Sequence, residues 1–147
     1  MALEGEYEPS SWDWVREQVA EYEASGGERA NTFADTGLAI IVMSNRGHKT
    51  GKVRKTPLMR VEHDGEYALV GSQGGAPTDP FWVSNLKADP AAVTIQDGAE
   101  HFDVVVRQVD GDERAAWWGR CVAAYPDYQV YQDATERRIP VFVARRA

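Results

Sequence analysis

Six Lys or Arg residues stand within the sixteen positions Asn45 to Arg60, NRGHKTGKVRKTPLMR, and no carboxylate stands among them. They are Arg46, Lys49, Lys52, Arg54, Lys55 and Arg60, in a chain whose formal net charge is -7 and which has only 16 Lys and Arg in all. Gly47 and Gly51 let backbone N–H groups come close to a bound anion, and Thr50 adds a hydroxyl donor. This is the chemistry of a phosphate or carboxylate cradle, without the spacing of a Walker loop. Where the segment turns into a strand, Arg54 and Thr56 share one face and Lys55 takes the other. A run of charge is also ordinary solvated surface. The lack of any interleaved carboxylate favours an anionic ligand.

Two further stretches carry chemistry. In VGSQGGAPTDPFWVSNLK, Ser72, Gly74 and Gly75 end a strand in a turn that leaves backbone donors free. Phe81, Trp82 and Asn85 follow, with Asn85 four residues after Phe81 and so on the same helical face. An aromatic pair with an amide suits a flat heterocycle, although Phe81 and Trp82 serve equally well as core anchors. In AAYPDYQVYQD, Tyr125, Tyr128 and Tyr131 recur every third residue, which gathers them on one side of a helical turn. Their phenols can reach a pocket or simply pack together.

Other chemistries find no machinery. His48, His63 and His101 lie in separate segments without ligand spacing, so no metal is predicted. There is no HExxH or GxSxG motif, and the single Cys121, in a helical pattern, reads as a small buried apolar residue.

The elements that must position these residues follow from pattern. Ser10 or Ser11 is predicted to cap an N-terminal helix, SSWDWVREQVAEYEASGG, with Trp12, Val15, Val19 and Tyr22 as its apolar stripe. Gly37 to Ser44 reads as a strand. TPLMRVEHDGEYALVGS reads as strand, Asp-Gly turn and strand, and a second hairpin turns at Asp97 and Gly98. Between them Asp79 is predicted to cap a short helix with Pro80 at its first position, ended by Asp89 and Pro90. A helix closed by Pro126 and a last strand, IPVFVARR, complete the order. Strands joined by tight turns are antiparallel. The prediction is a mainly β (α+β) fold, a closed or nearly closed barrel of about six antiparallel strands with flanking helices.

Composition bounds the rest. A chain of 147 residues with 43% hydrophobic content is one domain able to bury a core. A pI near 4.9 argues against nucleic-acid binding, and the acidic N-terminal helix against an anionic membrane surface. No apolar run approaches membrane-spanning length, and a cytoplasmic location is expected.

Taken together, GHKTGKVRKTPL, GSQGGAPTDPFWVSNLKADP and YPDYQVYQDATERRIPVFV resemble the actinobacterial deazaflavin-dependent nitroreductase family, which binds coenzyme F420 on a split β-barrel. The resemblance runs from about Asp35 to the C-terminus, and it divides the chain into an N-terminal segment, residues 1–34, and an F420-binding barrel, residues 35–147. It implies that His48, Lys49 and Thr50 with the run Arg54, Lys55, Thr56, Pro57, Leu58 and Met59 hold the cofactor's phosphate, glutamate tail and deazaflavin edge. Val70, Gly71, Ser72 and Gln73, with Phe81, Trp82, Val83, Ser84 and Asn85, are implied to enclose the ring. Tyr125, Tyr128 and Tyr131 are implied to face the acceptor, with a contribution from Ser72.

The implied activity is hydride transfer from reduced F420 to a quinone-like or nitroaromatic acceptor. Gln73 stands where a familiar branch has Lys, and His48 where it has Arg, so two fixed positive charges are missing. An FMN- or haem-binding split barrel and a non-catalytic F420 carrier are the alternative readings. A homodimer is expected by analogy alone.

Overall fold

The computed structural model describes residues 3–147. Seven strands form one antiparallel sheet: β1 Ile40–Arg46, β2 Val53–Met59, β3 Glu62–His63, β4 Glu66–Val70, β5 Val93–Asp97, β6 Glu100–Gln108 and β7 Val141–Arg146. Their order across the sheet is β2-β1-β5-β6-β7-β4-β3. Helices α1 Asp13–Ala24, α2 Phe81–Ala88, α3 Gly111–Ala124 and α4 Asp127–Asp133 flank it. None of the described helices is long and apolar enough to cross a membrane.

The seventh strand arises because the run expected as one strand breaks at Arg60 and Val61. Before the break, β2 pairs with β1 at one edge of the sheet; after it, β3 pairs with β4 at the other. One bent run of chain thus belongs to both edges, and the Ala68 N–H donates to Val61 O at 2.9 Å across the bend. The sheet is thereby curled into a split barrel. β7 lies in the interior of the sheet, pairing Val106 with Ala144 on one side and Leu69 with Phe142 on the other.

Alternation along the strands makes two apolar faces. Ile41, Met43, Leu69, Ile95, Val104 and Phe142 pack with Trp82, Val83 and Leu86 of α2. Ile40, Val42, Val141 and Val143 pack with Val15, Val19 and Tyr22 of α1 and with Trp117 and Cys121 of α3. Leu86 is 0% exposed, and such a side chain contributes about 1.5–3 kcal/mol by leaving water.

Several boundaries differ from expectation. β1 begins at Ile40 and extends through Asn45 and Arg46, because Ile41 to Ser44 are enclosed on both faces and Asn45 pairs with Arg54. Helix α1 starts after Trp12, which is its N-cap and is 61% exposed; Ser10 Oγ accepts the Trp12 N–H at 3.1 Å but caps no helical turn. The stripe therefore consists of Val15, Val19 and Tyr22 alone. Pro80, not Asp79, is the N-cap of α2, since the Asp79 carboxylate is drawn to Arg137 at 2.8 Å. The second hairpin turns at Gly98 and Ala99, with Gly98 at φ +63° and Asp97 still paired in β5. After Pro126 a separate helix, α4, carries two of the three tyrosines.

Candidate active site

The basic segment divides into strand end, loop and strand. A tight loop joins β1 to β2: Gly51 N–H donates to Gly47 O at 2.8 Å, and Gly47 N–H to Lys52 O at 2.8 Å. Thr50 Oγ1 accepts the Lys52 N–H at 3.1 Å, and Asn85 Oδ1 of α2 accepts the His48 N–H at 3.1 Å. The N–H groups of Lys49 and Thr50 and the ammonium groups of Lys49 and Lys52 have no partner among the described residues. His48, Lys49 and Thr50 are exposed. The loop thus offers two amides and two cations without partners among the described residues beside a helix, a set of donors whose chemistry suits an anion.

The strand half behaves differently. Arg54 and Thr56 share a face with Leu58, which packs toward α2, while Lys55 lies on the other face with Pro57 and Met59. Both strand cations carry tertiary partners that the local sequence does not supply. Arg54 Nη1 lies 3.1 Å from Glu8 Oε1, and Lys55 Nζ lies 2.5 Å from Glu23 Oε2 and 4.7 Å from the Tyr7 ring centroid. Arg46 pairs with Asp89 and Arg60 with Asp97. Carboxylates from outside the segment therefore serve its strand cations, while those of its loop have none among the described residues.

Glu8 reaches Arg54 because residues 6–8 run along the outer edge of β2: Val53 N–H donates to Glu6 O at 2.8 Å, and Glu8 N–H to Val53 O at 2.9 Å. The Glu8–Arg54 pair is about two-fifths exposed on each side, so it adds at most about 1 kcal/mol to stability. Its carboxylate nevertheless competes with any anion that Arg54 binds. Glu8→Gln is expected to strengthen binding of an anionic ligand by about threefold in a fluorescence titration. Unchanged or weaker binding would remove Glu8 from the site.

Helix α2 is the wall between the loop and the turn at residues 71–76. Asn45, 1% exposed, sits opposite Arg54 and donates from Nδ2 to Trp82 O at 3.2 Å; its Oδ1 is buried without a partner. At the other side of α2, a Cβ on Gly71 would stand 2.9 Å from Val83 Cγ2 and 2.8 Å from Pro140 Cγ, so only glycine fits there. The two aromatic residues of α2 part company. Trp82 is buried against Phe142, whereas Phe81 is 91% exposed. Ser84 is exposed and Asn85 half-buried on the same side of the helix as the loop.

The turn after β4 is strained. Gln73, Gly74 and Gly75 have φ values of +44°, +63° and +81°, and the left-handed region costs a non-glycine residue about 1–2 kcal/mol. Ser72 is 8% exposed and Gln73 exposed. Gly75 abuts α4, where a Cβ would lie 2.8 Å from Tyr131 O.

The three tyrosines do come together, with Tyr125 and Tyr128 rings 5.0 Å apart and Tyr125 Oη 2.8 Å from Tyr131 Oη. Their exposure separates them, however. Tyr125 and Tyr128 are 6% and 3% exposed and belong to the core under α1 and α3; only Tyr131 is partly open. Burial, reinforced for Tyr125 by the Tyr131 hydroxyl, pushes both phenols well above the ordinary tyrosine value. Both are neutral near pH 7, and the Tyr125 hydroxyl holds that of Tyr131. Cys121 is likewise pushed up to about 12 by burial and is no nucleophile. Met59, Val70, Gly71, Trp82 and Val83 are buried walls.

A residue that pattern reading missed is Arg137, which holds the 71–79 turn through four hydrogen bonds. Its only signal in the sequence is its place in the last matching stretch, TERRIP.

A curled antiparallel sheet with helices on both faces and a loop of unpaired cations beside α2 defines a protein of the split-barrel class. The family model described as F420H(2)-dependent quinone reductase matches residues 14–146, and the chain belongs to that family. An F420H(2)-dependent quinone reductase of Mycobacterium tuberculosis (strain H37Rv) is 35% identical over 109 residues, covering 72% of each chain. Among solved structures, an F420-H2-dependent reductase (FDR-A) is 47% identical with a TM-score of 0.68, covering 71% of this chain and 92% of that one. A domain-swapped dimer is 43% identical with a TM-score of 0.70, covering 92% and 99%.

Proposed function

We propose that the protein is an F420H2-dependent reductase of quinones. The observation that carries the reading is the loop of residues 47–52, whose Lys49 and Lys52 ammonium groups and two backbone amides have no partner among the described residues, in a chain of net charge -7. F420 fits this arrangement, since it bears a phosphodiester and a tail of glutamates. Asn45 Oδ1, buried without a partner beside Arg54, is a further acceptor that a bound group can satisfy.

When bound, reduced F420 supplies a hydride from C5 and a proton, which together convert a quinone to its hydroquinone. The chain's residues do the rest. Lys49, Lys52, His48 and Thr50 would hold the phosphate and tail, and Arg54 would join them where the anion displaces Glu8. Phe81, Asn85, Ser72, Gln73 and Leu58 would line the deazaflavin ring. Tyr131, held by Tyr125, presents the hydroxyl that orients the acceptor. The buried walls exclude water from the reacting face. Nitroaromatic reduction is the same transfer to a different electron-poor acceptor. A second copy of the chain is the expected macromolecular partner, in line with the dimeric relative.

The test is a fluorescence titration with F420, then oxidation of F420H2 by a naphthoquinone. Binding in the micromolar range with quinone-dependent oxidation is expected. Lack of binding at that concentration would overturn the reading, and tight binding without oxidation by any acceptor would make the protein a carrier.

A further inference from the structure

Arg137 lies between α4 and β7, with its side chain 15% exposed. Its Nε donates to Ala76 O at 2.7 Å, Nη1 to Gly71 O at 3.1 Å and to Asp79 Oδ1 at 2.8 Å, and Nη2 to Ser72 O at 2.7 Å. Three carbonyls and one carboxylate from a single turn thus converge on one guanidinium. The same residue is fastened to α4, because Gln132 Nε2 donates to Arg137 O at 2.8 Å and Gln132 Oε1 accepts the Ile139 N–H at 3.0 Å. Gln132 is the neighbour of Tyr131.

The turn needs such a clamp. With Gln73, Gly74 and Gly75 all at positive φ, the turn closes on itself only through Gly75 N–H to Ser72 O at 2.9 Å and Ala76 N–H to Gln73 O at 3.1 Å, which do not offset the strain by themselves. A guanidinium is the one side chain with a planar fork of five donors able to meet several carbonyls at once. Asp79 takes up the charge, so Arg137 acts by geometry and not as another cation for the cofactor.

We propose that Arg137 is a positioning residue of the active site, locking the Ser72–Gln73 turn in its strained form and joining it to the helix that carries Tyr131. This rests on the F420 reading above. A bridge between the turn that borders the ring and the helix that borders the acceptor fixes the gap the hydride crosses, where small displacements are costly.

The experiment compares Arg137→Lys and Asp79→Asn with the parent. Lysine keeps the charge but is a point donor that cannot span three carbonyls; Asp79→Asn keeps the fork and loses its charged acceptor, and carries the test should the lysine variant fold poorly. Amide hydrogen exchange without ligand should accelerate about tenfold or more at residues 73–76 while α1 and β1 keep their protection. With F420H2 and a naphthoquinone, kcat should fall about tenfold or more for Arg137→Lys, and less for Asp79→Asn, with the KM for the quinone little changed. Unchanged exchange in the turn, or unchanged kcat despite faster exchange, overturns the proposal. Should the parent itself fail to bind F420, the functional reading has failed, and the exchange data alone decide whether Arg137 holds the turn.

Discussion

Replacing Lys49 and Lys52 together by alanine is expected to weaken F420 binding by about two orders of magnitude at low ionic strength, with the fold unaffected. Neither ammonium group has a carboxylate partner among the described residues, so the free protein loses no ion pair when they go. In the complex each makes a charge-assisted bond to phosphate or carboxylate, worth about 1.5–3 kcal/mol, and about 1.4 kcal/mol is a factor of ten. The difference should shrink as salt is raised from about 0.01 M to about 1 M, because screening falls first on exposed charges. Arg54→Ala should cost less, since that residue already satisfies Glu8 at 3.1 Å in the free protein. A double variant that binds F420 like the parent would place the cofactor's anionic part elsewhere.

The second large effect concerns the seat of α1. Gly26 and Gly27 both end the helix at positive φ, +63° and +79°. A Cβ on Gly26 would meet nothing within 4 Å, while one on Gly27 would stand 2.4 Å from Gly98 Cα and 2.8 Å from Gly98 O. The close approach is held by Tyr22, whose Oη accepts the Gly98 N–H at 2.7 Å. Gly26→Ala should therefore lose only the left-handed cost of about 1–2 kcal/mol. Gly27→Ala adds an overlap with backbone, which cannot rotate away, for a total of about 2–5 kcal/mol. By thermal unfolding the second variant should melt on the order of 10 °C below the parent, and clearly below the first. Equal melting temperatures would mean that α1 can lift from the β5–β6 hairpin at little cost.

How much of this was legible in the sequence depends on the range of the interaction. The turn at Asp64 and Gly65 was readable because its backbone needs φ of +53° and +82°, which that pair adopts readily. The loop between β1 and β2 was readable as a turn for a related local reason, Gly51 at φ +73°, and Arg54 and Lys55 do take opposite faces of β2. The partners of those cations were not, since Glu8 and Glu23 lie 46 and 32 residues away and arrive only when residues 6–8 and α1 settle on β2. A spacing of three placed the tyrosines together but could not tell that Tyr128 faces the core under α3 while Tyr131 stays open. Asp79 looked like a helix cap because nothing nearby announced Arg137, 58 residues on. Local chemistry was visible; the long-range pairs that hold it in place were not.

The place of β7 has a consequence for how the protein is made. Residues 141–146 are threaded between β6 and β4, so every strand before them emerges from the ribosome into a sheet with a gap in its middle. Hairpins β1–β2, β3–β4 and β5–β6 can form as they appear, but the barrel cannot be sealed until this segment is released. Arg137 is delivered only a few residues earlier, and the turn it clamps has already been waiting since residue 76. The clamp on the turn and the strand that completes the sheet are thus made within a few residues of each other, and a nascent chain stalled before Val141 presents two unpaired strand edges with that turn still unclamped.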